Sequence, residues 1–468
     1  MIAPATPPEH QGRAALAEYP LLSALHYRRS RRFGRGMRIE HGPLAYQSAL
    51  PPLPLSEEEE ALLAFAACGI TGPALGELEY ARGRGGGMLC GWVGRTFASA
   101  DAIQNVALII SNDQATYLVR RPQDMTRAEA AELAELAAHG EYVEAYRRSR
   151  VKLQDGRVRA PIEPLYNFNI NKWALYAEGG SYFLPVNDLT FLLINALLEC
   201  FDEAMGGYIV DERNGFRPAG LARFARSKGG HLQDDPGANR VGTIQRIEMA
   251  IAETAALEQG MLLQNLGLMC QAMGLGGHAH FAAHEYGWLQ ALGFRMRRMP
   301  ASRFLGAPRY AQVAARLLRK DRPVPYAVGL ERAGRSLITA YCPPIYRTMA
   351  DAVRAVVAKK FGAEGTFRGG IGAGAWRDPQ AVANGTPACS EAAVAATIAY
   401  CEYIYERYGR FPAYAPPFRT VLGYQAIHVD EGFYERFYRP EALSDTQRAH
   451  MAAWHGDPTP AAPHHEHV

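Results

Sequence analysis

Four arginines crowd around one serine near the N-terminus of the chain, in the segment Arg28-Arg29-Ser30-Arg31-Arg32. Successive side chains of an extended segment point to opposite sides, so Arg28, Ser30 and Arg32 can converge on one face. Guanidinium groups with a hydroxyl between them suit phosphate, because each guanidinium offers a planar fork of donors. The segment therefore predicts a phosphate site, with a solvated basic face or a nucleic-acid patch as the alternatives.

A second candidate lies at the end of the longest apolar helix that the sequence predicts. From Thr243 onward the apolar residues keep three-and-four spacing, and we expect the helix to stop at the Gly-rich turn that begins at Gly274. After Thr254 its only full charge is Glu258. A helix that is apolar on most sides needs protein around it, so its second half should lie in a core or in a subunit interface.

Three histidines, His278, His280 and His284, follow that turn and are the residues most suggestive of zinc. Strand alternation places His278 and His280 on one face, but no fourth ligand of matching type lies nearby in the sequence. We expect them to form a polar pocket wall or to pack at the surface, and we predict no metal site. The pair His428 and Asp430 could face a pocket or simply pack.

These motifs together resemble the FMN-dependent nitroreductase superfamily, and they are nearest to its thiazole/oxazole dehydrogenase-like branch. The arginine segment, followed by the aromatic Phe33, is similar to the family's opening motif, and the long helix with its Gly-Leu-Gly ending is similar to the family's central dimer helix. The loop 95–102 is similar to the family's Arg-Thr-x-Pro-Ser-Ala-Gly-Ala loop, although it lacks the Pro and one Gly. Pro325-Tyr-Ala-Val-Gly-Leu resembles the family's closing strand.

The resemblance implies a set of FMN contacts but no particular catalytic side chain. In the family the first Arg, the Ser and the last Arg of the opening motif hold the cofactor; here either Arg31 or Arg32 could take the last role. The implied cofactor-binding residues are Arg28, Arg29, Ser30, Arg32, Ser99, Gly274, Leu275 and Gly276.

The implied function is an FMN-dependent oxidoreductase in which hydride passes through flavin N5 by a ping-pong mechanism. NAD(P)H would be the electron donor, the second substrate a small molecule or a peptide, and the protein a homodimer; an oxidase that uses oxygen is a variant of this hypothesis. The alternative is a flavin-poor protein of the same fold that binds a peptide or a partner enzyme. The missing Pro and Gly near Ser99 and the long C-terminal extension favour that alternative.

Capping and turn signals define the elements that would position these residues. Ser56 precedes four acidic residues and an apolar run, which predicts that a helix begins after Ser56. Thr126 and Glu129 form a capping box that opens a helix to about Tyr146. The segments 106–110 and 116–119 predict a hairpin.

The predicted fold class is α+β, a nitroreductase-like sheet wrapped by helices around the long central helix. The expected divisions are a disordered N-terminus (1–18), a flavin domain with insertions (19–345), a mainly helical C-terminal cap (346–445) and a flexible tail (446–468).

Composition narrows the class of protein further. The 468 residues carry 50 basic and 47 acidic side chains, which gives no general attraction to nucleic acid or to membranes. The seven scattered cysteines include no CxxC pair, which indicates reduced thiols. The N-terminus lacks a signal-peptide pattern, and no apolar run approaches the roughly 20 residues of a membrane span. We therefore expect a cytoplasmic protein.

Overall fold

The computed structural model describes residues 8–75, 93–99, 103–161, 176–281, 284–369 and 374–456, with side chains from residue 11 onward. Its helices are α1 (Pro8–Glu18), α2 (Leu21–Tyr27), α3 (Glu57–Cys68), α4 (Arg127–Ala138), α5 (Tyr142–Ser149), α6 (Leu189–Cys200), α7 (Ile244–Met273), α8 (Glu285–Ala291), α9 (Ala301–Phe304), α10 (Arg309–Leu317), α11 (Met349–Phe361), α12 (Pro379–Gly385), α13 (Glu391–Tyr408), α14 (Glu431–Phe437) and α15 (Asp445–His450). A single π-helical turn, Met451–His455, follows α15.

The strands fall into five sheets within these described ranges. They are β1 (Arg38–Ile39), β2 (Tyr46–Gln47), β3 (Ile70–Pro73), β4 (Val93–Arg95), β5 (Val106–Ser111), β6 (Ala115–Val119), β7 (Arg150–Asp155), β8 (Ser181–Asp188), β9 (Tyr208–Asp211), β10 (Arg217–Pro218), β11 (Val241–Thr243), β12 (Gly276–His280), β13 (Arg295–Pro300), β14 (Pro323–Arg332), β15 (Arg335–Thr339), β16 (Phe418–Arg419) and β17 (Gly423–Ile427). The protein is thus a mixture of helix and sheet, as the sequence predicts.

A seven-stranded antiparallel sheet forms the centre of the molecule. Its strand order is β12-β17-β8-β5-β6-β7, and β16 pairs with β8 as well. Every residue of β5 is buried, and alternate side chains enter different cores: Ile109 joins the core that contains α6, and Leu108 joins the core that contains α3. The sheet is therefore covered on both faces, which explains why β5 is apolar from Val106 to Ile110 instead of alternating with polar residues.

Helix α7 joins the two cores. It begins after Thr243, whose hydroxyl accepts the backbone N–H of Arg246 at 3.2 Å, and it ends at Gly274, which has a left-handed φ of +86°. Its first half packs into the α6 core through Ile251, whereas Leu266 packs into the α3 core. The sequence prediction for this helix is confirmed at both ends, since a hydroxyl cap and a left-handed glycine are the usual helix boundaries.

Local capping signals also hold for the neighbouring elements. The capping boxes of Ser56 with Glu59 and of Thr126 with Glu129 both form, and β5 and β6 pair as the expected hairpin. The helix expected to run to Tyr146 is instead divided into α4 and α5. Gly140 lies at the break with a φ of +76°, a conformation that is open to glycine at little cost.

The C-terminal region differs from the helical cap predicted for residues 346–445. Helices α11 and α13 are present, but β17 lies inside the central sheet between β12 and β8. The region therefore completes the core instead of resting on it. Conversely, β14, which contains the expected closing strand, belongs to a separate three-stranded sheet with β13 and β15.

The chain ends also depart from the expected disorder. Helix α1 packs on the π-helical turn, where a Cβ on Gly12 would lie 2.4 Å from the ring of Trp454. Residues 446–455 are helical for the same reason, since each segment covers apolar surface of the other. Two further segments of the sequence lie outside the described residues: 82–87, which is rich in glycine, and 166–171, where aromatic or aliphatic residues alternate with asparagines. The tail beyond 456 lies outside them as well. Among the described helices, none has the length and apolar character that crossing a bilayer requires.

Candidate functional site

The arginine segment directly follows α2, and the alternation expected from the sequence holds only in part. Arg31 is buried between the exposed Ser30 and Arg32, but Arg29, and not Arg28, lines the same cavity as Ser30 and Arg32. Arg28, Arg29, Ser30 and Arg32 are exposed, whereas Arg31 is only 2 % exposed. The segment 33–35 then runs beside 428–430, held by an isolated bridge and by backbone hydrogen bonds to both sides. It is thus fixed along the end of the central sheet.

Arg31 anchors the segment from beneath. Its Nε donates to the carbonyl oxygen of Ala442 at 2.7 Å, and its Nη1 donates to Oε1 of Gln271 at 2.8 Å. Burial lowers the pKa of Arg31 to about 10, which still leaves it charged at neutral pH. Gln271 in turn donates to Ser444 at 2.9 Å and to Thr446 at 3.1 Å, so Arg31 ties the end of α7 to the C-terminal helices.

A cavity of about 700 Å³ opens beside this segment. Its lining includes the cationic and hydroxyl groups of Arg29, Ser30, Arg32 and Arg439, together with Glu441. It also has an aromatic wall, formed by Phe33, Phe433, Tyr434 and Tyr438, with Phe33 and Phe433 stacked at 4.1 Å and the hydroxyl of Tyr434 accepting the backbone N–H of Phe33 at 3.1 Å.

Arg32 also borders a second group of side chains, on β12. Burial lowers the pKa of His278 to about 3 and that of His280 to about 4, and the positive charge of Arg32 acts in the same direction. The two rings stack at 4.5 Å. Both histidines are therefore neutral at physiological pH, and neither belongs to the metal-capable cluster found among the described residues.

Buried polar atoms without hydrogen bonds lie on the strands beside His278. Gln425 pairs with His278 across β12 and β17, and Tyr182 pairs with Gln425 across β17 and β8. Within the described residues, His278 Nδ1, Gln425 Oε1 and the Tyr182 hydroxyl make no hydrogen bond. Buried polar atoms are nearly always paired, so this row of three is the kind of surface that a polar ligand or ordered water completes.

The residues of the turn after α7 shape the backbone instead of presenting side chains. Gly274 supplies the left-handed cap, and the backbone N–H of Leu275 donates to the carbonyl of Cys270 at 2.8 Å. Leu275 itself is buried. A Cβ on Gly276 would lie 2.8 Å from the carbonyl oxygen of Arg31, so glycine permits the close approach of the arginine segment.

Ser99 lies apart from the other predicted cofactor residues within the subunit. Its hydroxyl donates to Oε1 of the fully buried Glu258, near the middle of α7. Arg28, by contrast, packs beside Gly267. Gly267 lies nine positions after Glu258 in the helix, which corresponds to roughly 13 Å along the axis. The structure thus brings the arginine segment and the Gly274–Gly276 turn together and leaves Ser99 at a second location.

The aromatic wall of the cavity was missed by sequence reasoning, which assigned it to a helical cap. A signal existed, since Phe433, Tyr434, Phe437 and Tyr438 recur at helical spacing. Nothing local, however, indicates that α14 lies against a segment about 400 residues earlier in the chain.

Comparison with known proteins yields little beyond these observations. No family model matches the sequence, and no curated protein matches it. Among solved structures, a match is the 2.00 Å crystal structure of a "putative nitroreductase" from Ralstonia eutropha JMP134, with 13% sequence identity and a TM-score of 0.27 over 59% of this chain and 77% of that chain. Likeness at that level assigns neither a family nor a cofactor, so function has to be argued from the side chains.

Proposed function

We propose that the protein binds FMN beside the arginine segment and acts as a flavin-dependent oxidoreductase. The observation that carries the proposal is the cavity whose lining combines guanidinium groups and the Ser30 hydroxyl with aromatic rings. FMN combines a doubly charged phosphate with a polar-edged aromatic ring system. A cavity lined by both cationic and aromatic side chains suits both parts of such a molecule.

The available donors fit the two ends of the cofactor. Arg29, Ser30 and Arg32 would hold the phosphate, because charge-assisted hydrogen bonds to phosphate are among the strongest that a protein makes. Arg31 would not contact FMN but would hold the arginine segment in place, because its Nε and Nη1 already donate to Ala442 and Gln271. His278 and its unpaired neighbours would offer uncharged hydrogen-bonding atoms to a ring edge.

Bound FMN would supply two-electron redox chemistry, with a reduced nicotinamide as donor and a small molecule or peptide as the second substrate. The chain contributes binding and electrostatics. His278 and His280 stay neutral above pH 4, so neither stores a proton for delivery at neutral pH. The positive charge of Arg32 next to them would stabilise negative charge that develops nearby.

The test compares Arg32→Ala with the wild-type protein in an FMN titration followed by flavin fluorescence. Loss of one charge-assisted contact should weaken binding by about 1.5–3 kcal/mol, or roughly tenfold to more than a hundredfold, without lowering the melting temperature of the apoprotein. Arg148→Ala is the matched control, because Arg148 is an exposed arginine that pairs with Glu132 and Glu144, away from the cavity. Equal affinity in wild type and Arg32→Ala would contradict the site.

Arg31→Ala separates anchoring from cofactor contact. The variant leaves the partners of a buried cation unpaired, and should therefore lower the melting temperature of the apoprotein itself. An Arg31→Ala protein as stable as wild type, yet unable to bind FMN, would mean that Arg31 is the direct phosphate ligand and that its anchoring role is secondary.

A second candidate function is a flavin-poor binding protein of similar architecture. The observation in its favour is that Ser99 is engaged by Glu258, far from the arginine segment. The visible spectrum of the purified protein distinguishes the two. A flavin spectrum that denaturation releases supports the oxidoreductase, whereas a colourless protein that takes up no added FMN supports the binding protein.

A further inference from the structure

Three histidines, His428, His450 and His455, converge on one buried carboxylate. Glu59, in the first turn of α3, is fully buried. Its Oε1 lies 3.2 Å from Nε2 of His428, 3.1 Å from Nε2 of His450 and 3.2 Å from Nε2 of His455. The Nε2 atoms of His428 and His455 are 3.1 Å apart, and all four potential ligand atoms lie within 4.8 Å of one another.

The second nitrogen of two of these rings fixes which atom faces the cluster. Nδ1 of His428 lies 2.9 Å from the carbonyl oxygen of Leu53, and Nδ1 of His450 lies 2.7 Å from that of Met273. A carbonyl can only accept, so each Nδ1 carries a proton and each neutral ring directs the lone pair of Nε2 at the cluster. Glu59 is oriented as well, because its Oε2 accepts the backbone N–H of Ser56 at 2.7 Å.

Without a cation these lone pairs would face a carboxylate oxygen. His450 Nε2 is buried and makes no hydrogen bond despite its short distance to Glu59. A metal ion removes the conflict, because each lone pair then becomes a coordinating pair.

We propose that Glu59, His428, His450 and His455 bind a structural zinc ion. Zinc takes four nitrogen or oxygen ligands in a tetrahedron, and bonds of about 2.0–2.1 Å separate the ligand atoms by roughly 3.3 Å. Four of the six separations found here, 3.1–3.2 Å, are close to that value, and the remaining two are within 4.8 Å. Magnesium and calcium are excluded as natural occupants, since both prefer all-oxygen ligand sets. Carbonyl groups that hold the outer ring nitrogens are the usual support for zinc-binding histidines.

The local backbone provides independent support. His450 and His455 are five residues apart, a spacing that a regular α-helix does not place on one face. The turn Met451–His455 is π-helical, and its i→i+5 hydrogen-bond pattern brings residues five apart into line. Such turns are uncommon and occur frequently at functional sites.

The ion would connect segments that are distant in the sequence. Its ligands come from the start of α3, from the residue after β17 and from the last helical segment, and the carbonyl of Met273 adds the end of α7. The zinc would hold the C-terminal segment against the α7 terminus. Because it is closed by four protein ligands, its role is structural, and it is independent of whether the cavity beside Arg32 binds FMN.

The test is the metal content and metal-dependent stability of the full-length protein, expressed without an affinity tag and purified without a metal column. One zinc per chain should survive dialysis, and stripping it with a strong chelator should lower the melting temperature by several degrees, with recovery on adding Zn²⁺ alone. Co²⁺ added to the stripped protein should give the intense visible absorption of a tetrahedral site.

Matched variants locate the ion. His455→Gln, at the least buried ligand, should lose the zinc and the response to added Zn²⁺, whereas His139→Gln, at an exposed histidine, should retain both. His464, His465 and His467 lie in the tail outside the described residues, and replacing all three with alanine should also leave the zinc in place.

The outcomes are decisive in each direction. Wild-type protein that contains no metal after expression with zinc, and whose melting temperature does not respond to Zn²⁺, overturns the proposal. Zinc that disappears with the tail histidines does the same. Copper or nickel bound tightly in its place, and lost in His455→Gln, would overturn the assignment to zinc. If His455→Gln does not fold, the chelation and reconstitution of the wild-type protein decide the question alone.

Discussion

Arg31 and Arg32 are neighbours in the chain with opposite surroundings. Arg31 is buried and donates to a carbonyl and an amide, while the side chain of Arg32 is exposed at the junction of the cavity and β12. One arginine therefore fixes the backbone so that the next can present its charge. This division explains how four arginines can crowd together without all of them being available to a ligand.

A buried acid on α7 sets an expected pH dependence of stability. Glu248 accepts the backbone N–H groups of Ala413 at 2.8 Å and Tyr414 at 2.5 Å, yet burial raises its pKa from 4.5 to about 8. Between pH 4.5 and 8 the folded state therefore binds a proton that the unfolded state has released. The stabilising contribution is complete below pH 4.5 and is lost as the pH rises through about 8, at about 1.4 kcal/mol per unit of pKa shift.

Urea unfolding at pH 5 and pH 8.5 measures this effect. Glu248→Gln should show a smaller loss of unfolding free energy between the two pH values than wild type does. A slope remains in the variant, because burial also raises the pKa of Glu285, to about 7. Glu135→Gln, at an exposed position of α4, is the control and should keep the wild-type slope. Identical slopes in all three proteins would show that Glu248 is ionised throughout this range.

At the residue scale the sequence predicts chemistry better than it predicts contacts. Strand geometry predicts that Arg28, Ser30 and Arg32 share one face, and the structure agrees only in that Arg31 is buried while Ser30 and Arg32 are exposed. Arg29 is exposed as well, which alternation does not predict. Which side is buried depends on Ala442, 411 residues further along the chain. The metal-capable cluster is hidden for the same reason, since its four members share no local spacing motif apart from the interval between His450 and His455.

The turn that ends α7 sets how closely the C-terminal helix α15 can pack against it. Gly274 has a φ of +86°, and a Cβ there would lie 2.1 Å from the carbonyl oxygen of Thr446. Gly274→Ala should therefore incur the left-handed strain of about 1–2 kcal/mol and, in addition, displace the C-terminal helix α15. We expect a loss of unfolding free energy well above that of the strain alone.

Gly334→Ala supplies the comparison for this prediction. Gly334 has a similar φ of +75°, but its Cβ would meet no heavy atom within 4 Å. Its substitution isolates the backbone strain from the steric displacement. The measurement is chemical unfolding of both variants, and an equal loss of stability in the two would show that α15 does not press on the α7 turn.

Elements with local signals were predicted closely, and those defined by distant partners were not. The caps of α3, α4 and α7 are each set by a side chain within a few residues, so their positions follow from sequence. The place of β17 depends on pairing with β12 and β8, which lie more than 140 residues earlier. No property of 346–445 alone distinguishes an added cap from a region that supplies a strand to the core.

At the scale of the whole molecule, one face of α7 remains uncovered. Met249 is 47 % exposed, Leu257 55 % and Met261 37 %, and on α2 Leu21 and Leu22 are 67 % and 79 % exposed. We propose that a second copy of the chain covers this surface, as the charge-poor helix predicts. An obligate interface of this kind buries at least about 2,000 Å².

Sedimentation of Leu257→Arg tests the homodimer. Placing a charge in an apolar interface should shift the protein from dimer to monomer at micromolar concentration, while circular dichroism shows an unchanged fold. Leu318→Arg is the control, because Leu318 is 65 % exposed in a different region of the surface. A folded wild-type monomer at the same concentration would contradict the proposal.

The position of β17 has a consequence for how the chain is made. Ribosomes add about 5–20 residues per second, and 234 residues lie between the end of β8 and the start of β17. During synthesis, β17 therefore becomes available to pair with the edge of β8 roughly 10 to 50 seconds after β8 has been made. Throughout that interval the nascent chain exposes an apolar strand edge, a template for pairing with other chains. Productive synthesis of this protein therefore depends on shielding that edge until almost the entire polypeptide has emerged.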